Sequence, residues 1–182
     1  MTDPDSSRVA ARVGRPKAED NDLDVDIVED GGDWSAFAPV DEAIHAAARE
    51  VAAEIQLAIG RASASIALGD DARVRELNRA YRGRDKSTNV LSFPAATSPS
   101  ADDRTYLGDI ILASETVLAE AHEQGLPPQH HLQHLVVHGL LHLLGFDHIL
   151  ESDAEEMEGL ETTILARLGV PDPYADGNGL DG

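Results

Sequence analysis

The chain contains no cysteine, which excludes disulfides, thiolate metal ligands and a cysteine nucleophile together. Aromatic residues make up only 4% of it, too few for an extended base-stacking platform. Positive charge is scarce as well: Lys and Arg number 14 against 34 Asp and Glu, a formal net charge of −20. That balance opposes loose, sequence-blind binding to nucleic acid, which needs positive potential. No uncharged run reads as a membrane span, and no apolar stretch near the N-terminus has the form of a signal peptide. The expectation is a cytoplasmic protein whose 182 residues, 42% of them hydrophobic, form one core.

Residues 1–22 are polar and carry no periodic apolar face, so they read as a disordered N-terminal extension. Order begins where Leu23, Val25 and Ile27 alternate with Asp24 and Asp26, the period of a strand. Residues 40–59 are Ala-rich at helical spacing, with Asp41 complementing the dipole at the start. Residues 63–68 read as a second strand, although their Ala and Ser are poor strand formers. Asp70 and Asp71 offer an N-cap to a helix over about 72–81. Residues 89–93 and 107–112 are two further strands, and Ser114 is placed as the cap of a helix reaching Gln124. Residues 129–144 hold five histidines and no formal charge, with Leu and Val on every side, the pattern of a buried helix that Gly145 stops. Ser152 and Glu155 have the spacing of a capping box for a last helix with the stripe Met157, Leu160, Ile164 and Leu168. The interleaving predicts an α/β fold: a single mixed sheet of about four strands carrying about five helices. One domain spans 23–170, and 171–182 is an acidic C-terminal tail.

His138 and His142 stand four apart on the buried helix, so both imidazoles project from one face about one turn apart. Gly145 breaks the helix, and the chain then turns back to bring His148 as a third ligand. Three neutral imidazoles suit a divalent transition metal, zinc being the commonest, and leave a fourth position open for water, as catalytic sites do. His130, His131 and His134 continue the ladder upstream as core or second-layer groups. The spacing also fits a metzincin-like protease, but such enzymes need a Glu directly after the first His as general base. Here that position is Gly139, and the only internal Met, Met157, falls inside a predicted helix.

Arg73, Arg75, Arg79, Arg82, Arg84 and Lys86 crowd one short segment that holds only Glu76 and Asp85 in opposition, a local excess of +4 (6 − 2). Such a run is either a solvated helix face or a phosphate-facing patch, since Arg forks match phosphate oxygens.

The stretch from Leu77-Asn78 through Tyr81-Arg82-Gly83-Arg84-Asp85-Lys86-Ser87-Thr88-Asn89-Val90-Leu91-Ser92-Phe93-Pro94 resembles the LNxxYRGxDKPTxVLSFP signature of the YbeY family, bacterial ribosomal RNA maturation factors. Leu107-Gly108-Asp109-Ile110 is similar to the family's LGDI strand, and the segment from His138 to His148 to its HGxLHLxGxDH motif. The resemblance covers about residues 23–175; Ser87 stands where the family usually has Pro. It implies a zinc-dependent, single-strand-specific endoribonuclease with one Zn2+ per chain on His138, His142 and His148, and Arg82 as the functional arginine near the metal. It further implies work on single-stranded rRNA and the small ribosomal subunit, in 16S rRNA 3′-end maturation and late quality control, alongside ribosome-associated proteins. No membrane or DNA partner is expected. Asp147 and Asp109 are candidates to orient a ligand imidazole, and Arg84 and Lys86 to meet substrate. The alternative is a non-catalytic ribosome-assembly factor whose metal is structural.

Overall fold

The structure is a computed structural model that describes residues 22–55, 60–96, 104–147 and 149–175. Residues 1–21 of the extension expected to be disordered, the end of the helix expected to reach residue 59, His148 and most of the acidic tail lie outside the described residues. Asp22, expected in that extension, is instead the first residue of a strand and pairs with Arg61.

Strand β1 (Asp22–Glu29) leads into helix α1 (Val40–Ile55), then β2 (Arg61–Gly69), α2 (Asp71–Arg82), β3 (Val90–Pro94) and β4 (Thr105–Ala113). Three helices follow: α3 (Ser114–Glu123), α4 (Pro128–Leu143) and α5 (Glu151–Arg167). The strands form one mixed sheet in the order β1-β2-β4-β3. β1, β2 and β4 run parallel, placing Ile27 beside Ile66 and Ile66 beside Ile110, while β3 closes the far edge antiparallel to β4. β1 has a helix layer on one side only, which is why its Leu23 and Val25 are buried while Asp22, Asp24 and Asp26 stay exposed. β2 forms despite its Ala and Ser because it is hydrogen-bonded on both sides. Its small side chains Ala62 and Ala64 join Ile66 and Leu68 in the core.

Helices α1, α4 and α5 share the main core with the sheet. α2 covers the opposite face through a smaller cluster of Val74, Leu91, Ile111 and Ala113. α4 starts at Pro128, whose missing N–H is harmless in a first turn, and ends before Gly145, which takes φ 97°. From His131 to Leu141 every residue of α4 is buried, as the uncharged sequence predicts.

Two expected caps are absent. Ser114 is the first residue of α3, not its cap, and its buried hydroxyl has no partner among the described residues. The α2 and α3 starts cap each other instead. Glu115 Oε2 accepts from the Asp71 N–H at 2.6 Å, and Asp71 Oδ1 accepts from the Thr116 N–H at 3.2 Å and hydroxyl at 2.7 Å. Ser152 lies inside α5, whose cap position is Leu150 with no side-chain cap bond; Glu151 and Asp153 favour the helix start by charge. The cap expected at Asp70 is present, its side chain accepting from the Arg73 N–H at 2.8 Å.

Gly139 sets how closely α4 approaches the sheet. A Cβ there would lie 2.9 Å from Ile110 Cδ1 and 3.2 Å from Ser92 Oγ, so the helix rests flush on β4 and β3. Gly139→Glu is therefore expected to destabilise the chain by at least the about 1–3 kcal/mol typical of an overpacked core. A urea melt of the two proteins checks this.

Candidate metal centre

The groove that collects the chemistry lies where the end of α4 meets edge strand β3 and the α2–β3 loop. It has a volume of about 820 Å³ and is lined by Arg82, Arg84, Lys86, Ser92, His138, His142, Phe146 and Asp147, among others. Local rules build the loop wall. α2 ends at Gly83, which takes φ 66° and donates its N–H to Arg79 O at 3.2 Å, while the Arg84 N–H reaches Asn78 O. Buried Asn78 then donates to Lys86 O at 2.8 Å, fixing the turn that carries Arg84 and Lys86 into the groove.

The fold sorts the basic segment into two groups. Arg73 is neutralised by Asp30 and Glu76, and Arg75 by a two-pronged bond to Asp85 at 2.8 and 3.1 Å. Arg79, Arg82, Arg84 and Lys86 form no ion pair among the described residues, and the last three line the groove. Arg82 is held across the β3 edge by its Nη2 donating to Ser92 O at 3.1 Å, with its guanidinium 5.9 Å from the Phe93 ring centre.

The histidines are arranged for lone-pair donation. His138 Nδ1 lies 2.6 Å from Glu161 Oε1, and His142 Nδ1 lies 3.0 Å from the Phe146 carbonyl oxygen. An ionised carboxylate and a carbonyl can only accept, so each Nδ1 carries a proton, which leaves the Nε2 of a neutral ring with its lone pair. The two Nε2 atoms are 3.0 Å apart. That is the distance of an N–H···N hydrogen bond when one ring is protonated. With both rings neutral the two lone pairs point together and repel unless a cation takes both, so the pair can hold a divalent metal. Three such ligands need His148, which lies outside the described residues; among the described residues no group of three His, Asp or Glu is placed to hold an ion.

Glu161 is the residue beside these histidines that sequence reasoning misses. Its side chain is fully buried and takes three donors: His138 Nδ1, His134 Nε2 at 3.0 Å, and the Tyr174 hydroxyl. Burial pushes its carboxyl up, but the hydrogen bonds from His134 and His138 outweigh it and hold the pKa at about 2. Burial keeps His134 below the ordinary imidazole range despite that carboxylate. The available signal was position: Glu161 falls on the apolar stripe between Met157 and Ile164, where a carboxylate is out of place.

The candidates for orienting a ligand part company. Asp147 lines the groove. Asp109 does not; its neighbour Ile110 faces α4, so Asp109 points to the other side of the sheet, where it accepts from the Tyr106 hydroxyl at 2.6 Å. Strand parity separates it from the histidines. Of the upstream histidines, His131 binds Glu120 at 2.7 Å and His134 binds Glu161, so neither adds to the groove lining.

Glu120 also accepts from Asn89 Nδ2 at 3.1 Å, tying the start of β3 to α3 and α4. Burial raises its pKa, but the bonds from His131 and Asn89 prevail and lower it from the usual 4.5. A folded pKa below the unfolded one adds stability that is present above about pH 4.5 and lost as pH falls through the folded value. Glu120→Gln is expected to flatten the acid limb of stability against pH, as measured by urea melts from pH 7 to pH 3.

The sequence profile of the endoribonuclease YbeY family matches residues 35–169. The chain belongs to the YbeY family. It is 51% identical over 152 residues to "Endoribonuclease YbeY" of Bradyrhizobium sp. (strain BTAi1), covering 81% of this chain and 90% of that protein. The like-named protein of Azorhizobium caulinodans is 50% identical, with 84% and 97% covered. The solution structure of TM1509 from Thermotoga maritima shares the fold, with a TM-score of 0.50, 23% identity, and 85% of this chain and 99% of that one covered. Two of the stretches that carry the YbeY likeness, from Asn78 to Pro94 and from His138 to Asp147, supply most of the groove lining.

Proposed function

We propose that the groove hydrolyses phosphodiester bonds of single-stranded RNA with one zinc ion held by His138, His142 and His148. The observation that carries this reading is the pair of imidazole Nε2 atoms converging at 3.0 Å in the same groove as three cations that have no carboxylate partner among the described residues. When bound, zinc supplies Lewis acidity and a water made nucleophilic near neutral pH. Arg82, anchored through Ser92 O, meets a non-bridging phosphate oxygen and offsets the charge that grows there in the transition state. Arg84 and Lys86 hold neighbouring phosphates. Gly139, pressed against Ile110, provides neither a general base nor room for one, which removes the peptidase reading.

The substrate we infer is cytoplasmic ribosomal RNA at the 3′ end of 16S rRNA, on or near the small subunit and its associated proteins. The chain's net charge of −20 with one local cationic wall supports substrate positioned by a larger assembly rather than strong binding to free RNA. The test is cleavage of an end-labelled 16S 3′-terminal fragment by zinc-loaded and chelator-stripped protein. Cleavage is expected only when zinc is present, with duplex RNA resistant. The fragment ends then report the chemistry: a 2′,3′-cyclic phosphate marks attack by the ribose, a 5′-phosphate or 3′-hydroxyl attack by water. Cleavage that survives stripping points to a contaminating nuclease. No cleavage by the loaded chain favours the assembly-factor reading.

A further inference from the structure

We propose that Glu161 and the Asp172-Pro173-Tyr174 turn form a positioning device for the metal ligand His138, an inference that rests on the metal reading above. None of these residues lines the groove, so they do not meet substrate. Their geometry converges on one imidazole. Glu161 Oε1 is given to His138 Nδ1 at 2.6 Å, and Oε2 is shared by His134 Nε2 at 3.0 Å and the Tyr174 hydroxyl. With both oxygens engaged, the carboxylate cannot rotate away from His138 without breaking its bonds to His134 and Tyr174.

The turn after α5 is built to deliver that hydroxyl. Asp172 Oδ1 accepts from the Tyr174 N–H at 2.9 Å and from Thr162 Oγ1 at 3.2 Å, pinning the turn to the residue next to Glu161. The His134 ring then stands edge-on to both Tyr174, at 5.8 Å and 88°, and His138, at 6.5 Å and 80°. A packing role alone does not call for a carboxylate here, since apolar side chains of similar volume serve a core at least as well. A ligand imidazole does call for one: the acceptor behind Nδ1 fixes the tautomer, aims Nε2 and raises its basicity toward a cation. Glu161 and Tyr174 are thus positioning residues, and the segment following α5 belongs to the metal centre.

The test uses the full chain and two readouts that precede activity. Zinc dissociation constants are measured by competition with a chelating dye, and imidazole nitrogen NMR of the metal-free protein reports the His138 Nδ1 proton. Glu161→Gln is expected to weaken zinc binding by about 10–100-fold and to move the His138 Nδ1 signal. Tyr174→Phe, which deletes one hydroxyl, is expected to weaken binding by a smaller factor, with circular dichroism unchanged. Folded variants with wild-type zinc affinity and an unmoved signal overturn the proposal. Should Glu161→Gln fail to fold, an unchanged affinity in Tyr174→Phe overturns it alone. A wild-type chain that takes up no zinc overturns the metal reading beneath it, a different failure from wild-type uptake with indifferent variants.

Discussion

His142→Ala is expected to bring RNA cleavage to background while the chain keeps its helices and sheet. His142 is only partly buried at the end of α4, and its ring faces the groove, so truncation opens no cavity in the main core. What is lost is one of two Nε2 atoms 3.0 Å apart. Zinc bound per chain should fall from one to nearly none, measured by elemental analysis after gel filtration. Circular dichroism should be retained, because a core centred on Leu132, Leu135, Leu140 and Ile164 does not depend on that ring. A structural metal predicts the opposite: its binding energy is folding energy, and the variant would unfold with the loss of zinc. Cleavage that persists in folded His142→Ala would remove support for the metal as the catalyst.

Arg82→Ala should lower kcat by about 10²–10³-fold, the usual cost of deleting one preorganised donor to a developing oxyanion. KM should change far less, because Arg84 and Lys86 still face the substrate backbone. Stability should be nearly unaffected, since the side chain is exposed and its one hydrogen bond is to Ser92 O. Arg82→Lys should not restore the rate. An ammonium cannot present two parallel donors, nor bond Ser92 O and a phosphate in the fork geometry of a guanidinium. Steady-state cleavage of a single-stranded RNA separates the two constants. An equal rise in KM with kcat intact would reassign Arg82 to ground-state binding.

Features set by local geometry were legible in the chain itself. The alternation of Leu23, Val25 and Ile27 with aspartates marks a strand. The uncharged run around five histidines marks a buried helix, and Gly145 marks where it must stop. Two histidines four apart on that helix had to share a face, whatever surrounds them. Less local readings went astray for a physical reason. Ser114 and Ser152 have the residue types of caps, but capping is decided by which acceptor reaches the orphan N–H, and at α3 it came from Asp71, 45 residues away.

The sequence alone therefore determined the α/β class, the four strands, the helix bearing His138 and His142, and family membership through motifs of contiguous residues. Tertiary structure alone decided the partners. Packing of α5 against α4 brings Glu161 to His138 across 23 residues and places an acceptor behind its Nδ1. Strand parity turns Asp109 away from His138 and His142. Ion pairing across the fold silences Arg73 and Arg75 and leaves Arg82, Arg84 and Lys86 to the groove. Backbone periodicity is written within a few residues, whereas the neighbour of a side chain is set by register and packing between elements far apart in the chain.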